Sequence, residues 1–289
     1  MKKVFFVMLI LVMFVVSAFS YKIGLSLSTL NNPFFVTLRD GAIDKAKELG
    51  IDLIVVDAQD KPSKQLNDIE DLIQQRVDLI IINPTDSDAI VVAVEEANDA
   101  GIPVITVDRG SNGGKVVAHI ASDNVLGGAM AAKFIAEMLN GKGKVVELVG
   151  IPGTSAARDR GLGFETELKK YPGLVLVAKQ TANFNRAEGL TVMENLLEAY
   201  PDIDAVFAQN DEMALGAIEA IKAAGKLDKI IVVGFDAIPD AIEAVKKGEM
   251  AATIAQQPYL MGQLAVQKAY EYLETHTIYI PVELKLVTE

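Results

Sequence analysis

The chain has 289 residues, neither cysteine nor tryptophan, and a formal net charge of −12 from 27 Lys and Arg against 39 Asp and Glu. So acidic a chain argues against nucleic acid or an anionic membrane surface as a partner, because both attract basic patches. The lack of cysteine excludes disulfides and leaves stability to an apolar core, which the 51% hydrophobic content can fill.

In chain order, residues 1–20 come first and read as a secretory signal. Lys2 and Lys3 precede an apolar stretch over 4–16, and Ala18 and Ser20 stand at the −3 and −1 positions for cleavage before Tyr21. The stretch falls short of the ~20 apolar residues that span a bilayer, and no Cys stands at the cleavage site to carry a lipid. The expectation is an exported protein, soluble and unanchored.

Short runs rich in Val and Ile then predict strands at 23–27, 53–57, 79–83, 104–108, 119–121, 145–149, 175–178, 205–209, 230–235, 253–255 and 282–287. Apolar residues at three-and-four spacing predict helices at 35–49, 63–75, 89–100, 187–199, 213–224, 238–247 and 261–273, with another starting at Gly127-Gly128. Gly50, Gly101, Gly225 and Gly248 stop helices, as expected of helix C-termini. Strand, helix, strand in repetition means α/β with parallel sheets. One sheet of ten strands would be large, so the chain divides at Ser122-Asp123-Asn124 into two doubly wound lobes. A helix at 261–273 would overfill the second lobe, so the chain returns to the first near Gln256. The expected N-terminal lobe is 21–123 with 257–285, and the C-terminal lobe is 124–256 with 286–289.

Polar residues sit where these strands end, which is where open parallel sheets bind ligands. After the first strand, Asn32 offers both donor and acceptor, and Phe34 and Phe35 offer ring faces to the C–H side of a sugar, or simply plug the first helix onto the sheet. Asp108-Arg109 can clamp vicinal hydroxyls, the carboxylate accepting and the guanidinium donating, or form an internal ion pair. The stretch 153–161 has the Gly, Ser and Thr of a phosphate cradle but fits neither GxxxxGK[ST] nor GxGxxG. Arg158 within it reads as a ligand donor, with a solvated surface residue as the alternative. Asn210, Asp236 and Gln256 each terminate an otherwise apolar run. One alone would only cap a helix; three in one lobe point to a site.

Catalysis finds little support. His119 and His276 are the only histidines, and no HExxH, GxSxG, CxxC or DxDxDG motif occurs. Asp108 and Asp236 are conceivable as a glycosidase pair, but nothing in the sequence sets their spacing. Neither a metal nor a cofactor is expected.

The blocks STLNNPFF (28–35), INPTDSDA (82–89), PVITVDR (103–109), HIASDNVLGG (119–128), GTSAARDRG (153–161), FAQNDEMALGA (207–217), VVGFD (232–236) and ATIAQ (252–256) resemble the periplasmic ribose-binding protein family. They run in order across nearly the whole mature chain. The resemblance implies a type I periplasmic binding fold, two lobes joined by a three-segment hinge near Asp123-Asn124, Gln256-Gln257 and Lys285. It implies no enzyme but a capture protein for D-ribose that serves an ABC importer permease and, in some members, a chemoreceptor. A monomer is expected. Allose, galactose, another pentose, or an exported sugar-processing enzyme are the alternatives. By motif, the resemblance makes Asn32, Phe34, Phe35, Asp108, Arg109, Arg158, Asn210, Asp236 and Gln256 ligand contacts, and adds Phe184 as an aromatic facing the sugar from the second lobe. Asp159 stands where such proteins commonly carry Glu, and the tail around 273–281 is individual.

Overall fold

The strand runs assemble into two sheets. The structure is a computed structural model that describes residues 20–276 and 285–287, so the expected signal lies outside the described residues except for Ser20. In the first sheet, β1 (Lys22–Leu27), β2 (Asp52–Asp57), β3 (Leu79–Ile82), β4 (Val104–Val107) and β5 (Val116–Ile120) run parallel in the order β2-β1-β3-β4-β5. Helices α1 (Pro33–Leu49), α2 (Pro62–Gln74) and α3 (Val91–Asp99) make the crossovers. β3 and β4 are buried along their whole length, which is why they read as unbroken apolar runs.

α4 (Asn124–Met138) carries the chain into the second sheet. There β6 (Lys142–Val149), β7 (Gly173–Thr181), β8 (Ala205–Ala208), β9 (Ile231–Asp236) and β10 (Ala252–Ala255) alternate with α5 (Ser155–Leu168), α6 (Arg186–Ala199), α7 (Asp211–Ala223) and α8 (Pro239–Lys246). With β11 (Lys285–Val287) the order is β11-β10-β9-β8-β6-β7. β11 runs antiparallel to β10, the one exception to the expected parallel sheets among the described strands. Lys285 pairs with Ala255, so residue 285, expected to close the N-terminal lobe, already belongs to the second sheet.

The stretch at 153–161 lies outside every expected helix. It is helical from Ser155, with the Thr154 hydroxyl accepting from Ala157 N at 3.3 Å as its cap. α5 lies against α4 through small residues: a Cβ on Gly128 would stand 2.0 Å from the Arg160 carbonyl oxygen, and one on Gly163 1.9 Å from that of Val125.

α9 (Pro258–Thr275) packs on α1. A Cβ on Gly262 would stand 1.9 Å from the Leu38 carbonyl oxygen, and one on Gly41 2.1 Å from that of Tyr259. Gly262→Ala is therefore expected to cost about 1–3 kcal/mol by forcing the two backbones apart. Thermal unfolding measures it, and an unchanged midpoint would contradict this contact.

Candidate functional site

The carboxyl ends of the two sheets face one another, and a small cavity lies between them. Each wall is built by local rules. Asn32 caps α1, its Oδ1 accepting from Phe34 N at 2.9 Å. The cap sets Phe34 and Phe35 on the first turn, both buried and edge to face with ring centroids 5.2 Å apart. Beyond β4, Asp108 takes a left-handed backbone with φ 61°. Asn83 steadies it from the end of β3, donating to the Val107 carbonyl at 3.1 Å and to Asp108 Oδ2 at 3.3 Å. Asn83 is itself held at Oδ1 by the backbone N–H and hydroxyl of Ser28. Sequence reasoning passed over Asn83, although it ends the apolar run 79–83 as Asp108 ends its own.

Arg109 is buried and donates from Nη1 to the Pro84 carbonyl at 3.2 Å. Its guanidinium lies between two rings, 5.1 Å from the Phe35 centroid and 5.3 Å from that of Phe184. One ring belongs to each lobe, so this cation–π stack crosses the cleft. Phe184 also has a left-handed backbone, φ 58°, and its carbonyl accepts from Asn210 Nδ2 at 3.3 Å. Gly150 makes room for the ring, because a Cβ there would sit 2.0 Å from Phe184 Cζ. Asn210 is a helix cap as well as a wall residue, with Oδ1 accepting from Met213 N at 3.0 Å.

Arg158 does not line the cavity. Positions two apart on a helix project about 200° from each other, so the helical α5 turns Arg158 outward and Arg160 inward. Exposed Arg158 donates to the Gly153 carbonyl at 3.2 Å and to Asn112 Oδ1 at 3.0 Å. Buried Arg160 donates from Nε to Asn124 Oδ1 at 2.8 Å and from Nη1 to the Gln209 carbonyl at 2.6 Å. It also lies over the Phe235 ring at 3.9 Å and 3.6 Å from Asp236 Oδ1.

The other nine expected residues, Asn32, Phe34, Phe35, Asp108, Arg109, Phe184, Asn210, Asp236 and Gln256, all line this one cavity, with Arg160 and Ala156. Gln256 Nε2 donates to Asp236 Oδ1 at 2.7 Å. Three buried polar atoms of the wall have no hydrogen-bond partner among the described residues: Asp108 Oδ1, Arg109 Nε and Gln256 Oε1. Native interiors rarely leave such atoms unpaired without a ligand or water to meet them. Two guanidiniums against two carboxylates make the lining charge-balanced. Such a wall suits a neutral ligand that both donates and accepts, as hydroxyl groups do.

Burial is the main cause that pushes the Asp236 carboxyl up to about 7, and the charge of Asp108 adds to it. Arg160, the Gln256 hydrogen bond and Arg109 pull the other way. His119 stays apart from this chemistry, with Nδ1 2.9 Å from Thr106 Oγ1 across the β4–β5 pair.

A family model described as a periplasmic binding protein domain matches residues 23–277. The chain belongs to this family. The ribose import binding protein of Bacillus subtilis is 54% identical to it, over 93% of this chain and 88% of that protein. The ribose import binding protein of Haemophilus influenzae is also 54% identical, over 92% and 91%. Among solved structures, an ABC transporter solute binding protein of Bacillus halodurans with bound myo-inositol has a TM-score of 0.89 at 36% identity, covering 93% of this chain and 94% of its own. One from Actinobacillus succinogenes with bound D-allose has a TM-score of 0.86 at 36% identity, covering 93% and 98%.

In this periplasmic binding protein the two lobes touch directly beside the cavity. Ser87 N donates to the Gly153 carbonyl at 2.9 Å, Ser155 N to Ser87 Oγ at 3.1 Å, and Gly110 N to Ser155 Oγ at 2.9 Å. The Arg158–Asn112 bond extends this seam. The structure is therefore the closed form, and the residue expected to hold ligand instead clasps one lobe to the other.

Proposed function

We propose that the chain is the extracytoplasmic receptor of an ABC sugar importer, capturing one D-ribose between its lobes and releasing it unchanged. The observation that carries this reading is the charge-balanced cavity between two lobes, with unpaired donors and acceptors in its wall. The names of the Bacillus subtilis and Haemophilus influenzae relatives support ribose. Asp108 and Asp236 accept from sugar hydroxyls, and Arg109 and Arg160 donate to them. Asn32, Asn210 and Gln256 complete the polar contacts, while Phe34, Phe35 and Phe184 cover the C–H faces. Residues 1–20 serve as the signal that exports the chain to the periplasm as an unanchored monomer. The lobes are joined near Asp123-Asn124, near Gln256-Gln257 and near Lys285. Delivery to a chemoreceptor as well as the importer belongs to the same reading. The neighbours that hold myo-inositol and D-allose favour a second reading, another monosaccharide in the same cavity.

Calorimetry against a panel of pentoses, hexoses and inositols tests the function. Ribose is expected to bind at micromolar strength or tighter, at least ~8 kcal/mol, and to be recovered unaltered. Heat from a hexose alone would reassign the ligand, and a chemically changed sugar would revive the enzyme alternative.

A further inference from the structure

Asp236 reaches the cavity from backbone that L-residues rarely adopt. φ is 120° at Asp236 and 57° at Ala237. Such conformations persist only where the surroundings hold them. The holding is done by two fully buried residues, Asp211 and Thr253, neither of which lines the cavity. Asp211 opens α7, and its Oδ2 accepts from Ile238 N at 2.9 Å. Its Oδ1 accepts from the Thr253 hydroxyl at 2.7 Å. That same hydroxyl oxygen accepts from Ala237 N at 3.1 Å. Both amides that follow Asp236 are thus tied to one buried pair. Gly234 leaves the pair its space, since a Cβ there would lie 2.2 Å from Asp211 Oδ1. A carboxylate this deep is costly to bury, and the two neighbours that hydrogen-bond to it, Ile238 and Thr253, belong to the turn and the strand beside it.

We propose that Asp211 and Thr253 are positioning residues of the sugar site. They fix the Asp236–Ala237 turn so that the Asp236 carboxylate stands where Gln256 and Arg160 meet it, and they set affinity without touching the sugar. This rests on the reading of the cavity as a sugar site. Thr253→Val conserves shape but deletes the hydroxyl, leaving Ala237 N–H and one Asp211 oxygen unpaired. Asp211→Asn keeps an acceptor for Ile238 N–H and turns an amide N–H toward the Thr253 oxygen, so it is the conservative rescue. Asp211→Ala removes both.

The test is a double-mutant cycle on ribose affinity in the full chain, with thermal unfolding to verify folding. Thr253→Val and Asp211→Ala are expected to weaken ribose binding by about tenfold or more, and Asp211→Asn by only about threefold or less. In an Asp236→Asn background, Thr253→Val is expected to change affinity less than about twofold, because the group it positions is already disabled. If Thr253→Val does not fold, Thr253→Ser and Thr253→Ala replace it: the serine variant keeps the hydroxyl and binds like wild type, and the alanine variant does not. Wild-type affinity in Thr253→Val, or in Thr253→Ala where that variant stands in, would overturn the proposal. So would an equal loss with and without Asp236, the mark of a merely structural role. A wild-type chain that fails to bind any sugar would instead overturn the function on which the proposal rests.

Discussion

Arg109→Ala is expected to weaken sugar binding by about 3–5 kcal/mol, the largest loss of any single substitution in the cavity. The guanidinium does three things at once. Its Nε has no hydrogen bond to the protein, the same atom balances the buried Asp108 carboxylate from 3.7 Å, and the plane stacks between Phe35 and Phe184. Removing it leaves Asp108 as a buried charge without a cation beside it, and separates two rings that belong to opposite lobes. Arg109→Lys should recover little, because an ammonium can neither fork nor lie flat between rings. Arg158→Ala is the matched control. It is exposed and outside the cavity, so its loss should stay within about 1 kcal/mol. Calorimetry with ribose ranks the three, and a larger loss at Arg158 than at Arg109 would reverse the placement of the site.

Asp236→Ala is expected to cost about 2–4 kcal/mol of binding. Its Oδ1 is the partner of Gln256 Nε2 and the closest carboxylate to Arg160. Truncation strands both groups as well as the sugar hydroxyl. Folding should suffer less than binding, because deletion also relieves a carboxyl that burial destabilises in its charged form. The signature is a large loss of affinity with a small shift in thermal midpoint. Wild-type affinity would mean that Asp236 is not a contact.

Asp108, Asp236 and Gln256 were legible for one reason. A parallel strand buried on both faces is an apolar run, so a polar residue at its end stands out and marks the mouth of the sheet. The same rule extends to Asn83, which supports Asp108 from behind. α5 was not legible. Its first two turns bury Ala156, Ala157, Arg160 and Gly161, three small residues and a cation, and large apolar residues come only at Phe164 and Leu168 near its end, too few to show a period. Without the helix, nothing in the sequence separates Arg158 from Arg160. The seam through Ser87, Gly110, Gly153 and Ser155 was equally hidden, because its three backbone N–H donors meet one carbonyl and two serine hydroxyls of the opposite lobe, and no local pattern brings those segments together. The antiparallel pairing of β11 rests on a three-residue strand, too short for any periodicity to reveal its direction.

Capture of the sugar depends on closure of the two lobes. In the closed form Asp108 Oδ1, Arg109 Nε and Gln256 Oε1 are buried and unpaired, and each such group costs about 1–3 kcal/mol. The seam between the lobes offsets part of that cost, and sugar hydroxyls remove the rest, so ligand should shift an open ensemble toward closure. Solution X-ray scattering with and without ribose measures this directly. The radius of gyration is expected to fall on addition of saturating ribose, toward the value calculated for the closed structure. An identical scattering curve in both conditions, with ribose bound, would contradict capture by lobe closure.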